Sequence, residues 1–165
     1  FVERASSLGV TVHLGTDPTE VIERVARLHG AESYLGWDDS SVPGVDLSRL
    51  TLRRIPHDVD RAGLVEVVLG VTGAEAGFAE SGSIVVRSGA GRSRLASVVP
   101  LVHVAILRKG DIYRSLAHWS EKHAPSIAYA ANVVFITGPS RTADIEQVLT
   151  VGVHGPRQVH IVLTS

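Results

Sequence analysis

The sequence has no cysteine and no methionine. Without thiols, this chain holds no disulfide, no thiolate metal site and no cysteine-ligated iron–sulfur cluster. That absence fits a reducing compartment and so a cytoplasmic setting. With Phe1 as the first residue, the lack of methionine implies that the start of the chain is missing. Aromatic residues are scarce, at 5%, so the core must be aliphatic. No apolar run reaches the roughly 18 residues of a membrane span, and no signal peptide is visible. Net charge is lacking as well: 16 Lys and Arg stand against 17 Asp and Glu, which gives −1. Neither sign dominates, so no general attraction to nucleic acid or to an anionic membrane is expected.

What is present is a chain of 165 residues, a length that implies a single domain over 1–165. Val10–Leu14 alternates and predicts a strand. Thr19–Leu28 follows as a helix, with Pro18 at its first position and Gly30 as its C-terminal glycine. Its apolar face is Val21, Ile22, Val25 and Leu28. Ser33–Trp37 reads as a short strand and Asp38–Gly44 as a loop. The Val-rich Leu64–Val71 predicts a strand, Ala74–Glu80 a short helix and Ser83–Arg87 another strand. Ser88–Ser93 is a Gly-rich surface turn. Leu101–Leu107 reads as a nearly all-apolar strand. Asp111–Lys122 reads as a helix with Ile112, Leu116 and Trp119 on one stripe. Asn132–Ile136 reads as a buried strand, Thr142–Leu149 as a helix and Val159–Leu163 as a last strand. Strands apolar on both faces, alternating with helices of about ten residues, imply an α/β fold with a mostly parallel sheet flanked by helices.

The stretch Gly138-Pro-Ser-Arg-Thr142 sits between a predicted strand and a predicted helix. Open α/β sheets bind ligands at such places. Gly138 permits close backbone approach, Ser140 and Thr142 offer hydroxyls, and Arg141 offers a two-pronged donor for carboxylate or phosphate. A helix starting here would add free N–H groups suited to an anion. The same residues also make ordinary turn and cap chemistry, with Asp144 and Glu146 satisfying the helix start and pairing Arg141. Both readings stand. His154, between Gly152 and Gly155, titrates near neutrality and suits acid–base work, or it ties down a loop. Glu80, Ser81, Gly82 and Ser83 cluster before a strand. Glu80 suits a base or a surface ion pair, and Ser-Gly-Ser is also a common turn.

Taken in order, three pieces carry a resemblance. The first is Val71-Thr-Gly-Ala with Phe78-Ala-Glu-Ser-Gly-Ser-Ile-Val-Val86. Arg94-Leu-Ala-Ser-Val-Val-Pro100 comes next, running into Leu101–Ala105. The last is Ile136-Thr-Gly-Pro-Ser-Arg-Thr-Ala-Asp-Ile-Glu-Gln147 with Gly152-Val-His-Gly-Pro156. From about Val71 onward the chain resembles the LUD domain of the lactate-utilization protein C family. That resemblance implies an α/β fold similar to the NagB/RpiA/CoA-transferase group. It implies a bacterial system oxidising L-lactate to pyruvate with two iron–sulfur partner proteins, whose clusters this cysteine-free chain would not carry. By position it points to Gly138, Ser140, Arg141 and Thr142 as ligand contacts, with Glu80, Ser81, Gly82 and Ser83 facing them. The ligand would be a small carboxylate or phosphate; the resemblance assigns no catalytic residue, and Glu80 and His154 stand as the catalytic candidates on their own chemistry. Where the family usually has Thr-Gly-Thr, this chain has Ser81-Gly82-Ser83, which keeps the hydroxyls and loses methyl packing.

Other features carry less. Gly89-Ala-Gly-Arg-Ser-Arg94 lacks the Gly-Lys-Ser/Thr ending of a phosphate loop and reads as a hairpin. His118 and His123 are five apart, about 140° around a helix, so they share no face for one metal. His103, inside an apolar strand, reads as a hydrogen-bonded core histidine. Trp37 and Trp119 read as packing. A hydrolase built from Ser140, His154 and Asp144 lacks a Gly-x-Ser-x-Gly elbow. Beside the lactate-oxidising subunit stands a second hypothesis, a stand-alone isomerase or acyl/CoA-transferase-like enzyme. A binding module without chemistry is the third.

Overall fold

The computed structural model describes residues 1–56, 63–64, 66–127, 130–143, 149–151 and 155–165. Helix α1 (Val2–Ser7) precedes strand β1 (Thr11–Leu14), helix α2 (Pro18–His29), β2 (Ser33–Gly36), β3 (Arg53–Ile55) and β4 (Leu69–Gly73). Then come β5 (Ala76–Phe78), β6 (Ile84–Ser88), a short α3 (Leu95–Val98), β7 (Val102–Arg108), β8 (Ile112–Tyr113) and α4 (Leu116–Ile127). The chain closes with β9 (Asn132–Ile136), β10 (Arg141–Ala143), β11 (Leu149–Val151) and β12 (Gln158–Thr164).

Six strands form a parallel sheet in the order β1-β12-β7-β4-β2-β3, and every neighbouring pair in it is parallel. The central strands are apolar on both faces, and Val71, Val104, Ile106 and Val162 are fully buried. This is the pattern of a sheet covered on both sides, so the expected α/β class with flanking helices is what the chain adopts. Helix α2 starts as its sequence dictates. The Asp17 carboxylate accepts from the Thr19 amide at 2.8 Å, Pro18 takes the first helical position, and Gly30 closes the helix in the left-handed conformation. Val21, Ile22 and Val25 bury as expected. Leu28 shares their face yet is 73% exposed. Helical azimuth selects a face, but burial also needs an opposing element at the side chain's own height along the helix.

A second, four-stranded sheet, β8-β5-β6-β9, stands on the carboxyl edge of the first. It accounts for most departures from the expected elements. Ala74–Glu80 was expected as a helix; instead Ala76–Phe78 is a strand paired with β6 and β8. Packing decides this, since a Cβ on Gly77 would lie 2.7 Å from Leu107 Cδ2. Ile112 belongs to β8, opposite Gly77, so the expected helix starts later, at Leu116, where the Ser115 hydroxyl accepts from the His118 amide. Trp119 is buried there while Leu116 faces out. Asn132–Ile136 is a strand, but it pairs antiparallel with β6 in the small sheet and is half-buried, with Phe135 exposed. The strand expected from Leu64 begins at Leu69, because the Val67 amide turns back to the Leu64 carbonyl. Thr142–Leu149 was expected as a helix. Its two ends belong to β10 and β11, which pair antiparallel, and residues 144–148 lie outside the described residues. A small cluster of Ala76, Phe78, Val85 and Trp119 packs under the second sheet.

Candidate functional site

In the large sheet the chain runs outward from β2 to β3, then returns to β4 on the other flank of β2 and continues to β7 and β12. Direction reverses between β2 and β4. Loops leaving the carboxyl ends of two such strands diverge, and a crevice opens between them. A cavity of 310 Å³ lies there, at the lower end of the range for small-molecule sites. Trp37 follows β2, Gly73 ends β4 with Ala74 and Glu75 after it, and Arg108 ends β7. Arg87 and Arg92 come from the small sheet and its turn, Tyr113 from β8 and His123 from α4.

Each wall is fixed by specific contacts. The buried Trp37 donates its indole N–H to the Ser93 carbonyl at 3.1 Å, which pins the turn carrying Arg92. The Arg92 guanidinium lies 5.6 Å over the Trp37 ring, and its Nε donates to Ser41 Oγ at 3.2 Å. Arg87 Nε is 2.6 Å from Glu75 Oε2. Arg92 and Arg108 have no carboxylate partner among the described residues. Three guanidiniums line the crevice against two carboxylates, Glu75 and Asp111. The wall is therefore net cationic in a chain whose total charge is −1. A small anion finds here both charge and forked donors.

The Gly138–Thr142 region is built differently. Gly138 has φ +138°, and a Cβ there would meet the Leu8 carbonyl at 3.0 Å. Residues 141–143 are strand, so the expected helix N-terminus with its free N–H groups is not formed. Arg141 points to the amino-terminal segment, where its Nη2 donates to the Leu8 carbonyl at 3.1 Å. Thr142 pairs in register with Thr150. The Ser140 amide donates to the Pro156 carbonyl, and Gly138 and Ser140 line a separate cavity of 280 Å³ with Thr137 and Phe135. Ser83 does come to this loop: its Oγ and Thr137 Oγ1 are 2.9 Å apart. Gly82, at φ +72°, lets the turn lie against α1, where a Cβ would stand 2.7 Å from the Ala5 nitrogen. Ser81 Oγ accepts from the Ser83 amide. Glu80 takes an exposed ion pair with Arg114 at 3.1 Å and, with Ser81 and Ser83, lines a third cavity, of 370 Å³. His154 lies outside the described residues.

Two histidines lie deep between β7, β4 and β12. His103 is fully buried, with Nε2 2.8 Å from Thr72 Oγ1, as its place in an apolar strand implied. Burial first, and repulsion from His160 second, push its pKa down to about 4. His160 is likewise pushed down to about 4 by burial and by the neighbouring His13, whose Nε2 is 3.1 Å from His160 Nδ1. Among the described residues no group of three or more His, Asp or Glu could hold a metal ion, and no helix is long and apolar enough to cross a membrane.

Comparison with known proteins places this geometry in a family. The LUD domain model matches residues 53–164, which covers most of the chain and both sheets' main strands. The chain belongs to the LUD-domain family. It is 32% identical to a Lactate utilization protein C of Geobacillus sp. (strain WCH70), across 88% of this chain and 68% of that protein. It is 35% identical to a Lactate utilization protein C of Exiguobacterium sp., across 77% of this chain and 51% of that protein. The chain thus spans between about half and two thirds of these relatives' length. A DUF162 family protein from Deinococcus radiodurans shares the fold, with a TM-score of 0.70 at 18% identity over 99% of this chain and 93% of that one. Within this LUD domain, sequence reasoning missed Arg87, Arg92, Arg108, Tyr113 and His123. The usable signal was position: Gly73 and Arg108 end apolar strands at their carboxyl edge, and Trp37 directly follows one.

Proposed function

We propose that this chain is the LUD-domain component of a bacterial lactate-utilization system that oxidises L-lactate to pyruvate together with iron–sulfur partner proteins. Its own part is to hold the small carboxylate in the arginine-lined crevice. The family, and the relatives named for lactate utilization, support the system. The placement in the crevice rests on one observation: Arg92 and Arg108 both line a cavity at the β2–β4 reversal and have no carboxylate partner among the described residues. The loop at 138–142 is the weaker position for the anion, because Arg141 is committed to the Leu8 carbonyl and no helix start faces the ligand.

Titration calorimetry with lactate and pyruvate tests the reading. Arg92→Ala and Arg108→Ala should each weaken binding about tenfold or more, the worth of a charge-assisted hydrogen bond. Arg141→Ala should leave it nearly unchanged. Loss of binding on Arg141→Ala, with the crevice variants unaffected, moves the site to the loop. For the partners, a tagged chain drawn from its host grown on lactate should bring iron–sulfur proteins with it. Turnover of phosphosugars or CoA esters by the isolated chain would instead support the stand-alone enzyme.

A further inference from the structure

The crevice carries two kinds of polar group, and a carboxylate engages only one of them. Arg92 and Arg108 are cations suited to its oxygens. Tyr113 and His123 are different, since each can donate or accept a hydrogen bond. Tyr113 Oη and His123 Nε2 are 3.1 Å apart, and both side chains line the same cavity. Their placement follows from the fold. A 3-10 turn, Lys109–Asp111, separates Arg108 from β8, so Tyr113 stands on the wall next to the end of β7. Packing holds both rings. His123 stacks on the buried Trp119 at 5.5 Å with 16° between planes, and Tyr113 meets His123 edge-on at 5.7 Å and 83°. Neither ring swings freely, so the pair is preorganised.

We infer that Tyr113 and His123 recognise the oxygen on the carbon next to the ligand's carboxylate, so that the crevice selects 2-hydroxy and 2-oxo carboxylates over plain carboxylates of the same size. This rests on the crevice reading above. The hydrogen bond between the two side chains can run in either direction. When Tyr113 donates to His123 Nε2, the phenol oxygen accepts from a ligand hydroxyl. When Nε2–H donates to Tyr113 Oη, the phenol proton turns to a ligand keto oxygen. A reversal of tautomer thus lets one pair accept both the reduced and the oxidised acid with no net proton transfer. A plain carboxylate has no oxygen at that carbon and forgoes this hydrogen bond, which is what sets it apart from the 2-hydroxy and 2-oxo acids.

Calorimetry with lactate, pyruvate and propionate, three acids of equal carbon count, tests this on the full chain. The wild type should bind lactate and pyruvate about three- to tenfold tighter than propionate, the worth of one added hydrogen bond. Tyr113→Phe should bring all three to the propionate value. His123→Asn, checked like the first variant by its melting temperature, should shrink the preference and leave propionate binding intact. Arg92→Ala should weaken all three alike. If the wild type binds propionate as tightly as lactate, and Arg92→Ala weakens both, the inference on the α-oxygen fails while the crevice reading stands. If none of the three acids binds, both fall.

Discussion

Mild acid should weaken this fold through its buried histidines, His103 first among them. His103 has no exposed surface, and its pKa in the folded chain is about 4, against 6.5 for a histidine in water. The folded-state value is the lower of the two, so the unfolded chain takes up its proton first. The stabilising contribution is whole above pH 6.5 and declines as pH falls toward 4. Below that both states are protonated and the loss levels off. Each unit in this window is worth about 1.4 kcal/mol, so going from pH 7 to pH 5 removes roughly 2 kcal/mol through His103 alone. A chain of this size has only about 5–15 kcal/mol in total. Urea unfolding at the two pH values, on the wild type and on His103→Gln, measures it. The amide can still meet Thr72 Oγ1 and cannot take a proton in this range. The variant should lose about 2 kcal/mol less than the wild type on acidification, whatever its stability at pH 7. His160 and His13, both lowered as well, supply the loss that remains. Equal losses in the two proteins would refute the assignment to His103.

Gly70→Ala should be severe, because a Cβ at this strand position would sit on the Ala96 carbonyl oxygen and beside Pro100. Since backbone must move, a loss of about 3 kcal/mol or more is expected, read as a large drop in melting temperature or a failure to fold. Glu80→Gln should do the opposite. Glu80 and Arg114 are both largely exposed, so breaking their ion pair should shift the melting temperature by no more than about 3 °C. Lost growth on lactate with that variant, at unchanged stability, would assign Glu80 a chemical role.

Much of the large sheet was legible because its strands are buried on both faces and its helix α2 carries its own start and stop signals in Asp17, Pro18 and Gly30. Those are local features, readable without knowing any partner. The small sheet was not. Ala76–Phe78 is Ala-Gly-Phe, in which only Phe78 favours a strand, and contact with Leu107, β6 and β8 makes it one. The same limit hid the crevice. Arg87, Arg92 and Arg108 are scattered along 22 residues and share no motif spacing. They meet because a turn, pinned by the Trp37 indole, folds back over the end of β2. The Gly-Pro-Ser-Arg-Thr stretch was conspicuous as a motif, and the hydroxyl of Ser83 does reach Thr137 beside it. Arg141 could not be aimed from sequence, since its partner is a carbonyl 133 residues away.

The two sheets also explain why the crevice is rigid while the motif-rich loop serves another end. Strand β4 runs into β5 with two residues between them, and β7 reaches β8 through a single tight turn. The Ala74 amide donates to the Ile106 carbonyl at 2.7 Å and the Glu75 amide to the Val85 carbonyl at 2.8 Å, so backbone bonds lock the junction to both sheets. Glu75, Arg108 and Tyr113 are thereby held by backbone rather than by long loops, and ligand binding need not order them first. Around Gly138 the contacts go elsewhere. Arg141 grips Leu8, Gly138 lies against the same residue, and Gly82 lies against Ala5. These residues fasten α1 across the small sheet. A site that must hold a ligand in fixed geometry is better placed on the locked junction than on residues already committed to clasping the chain's first helix.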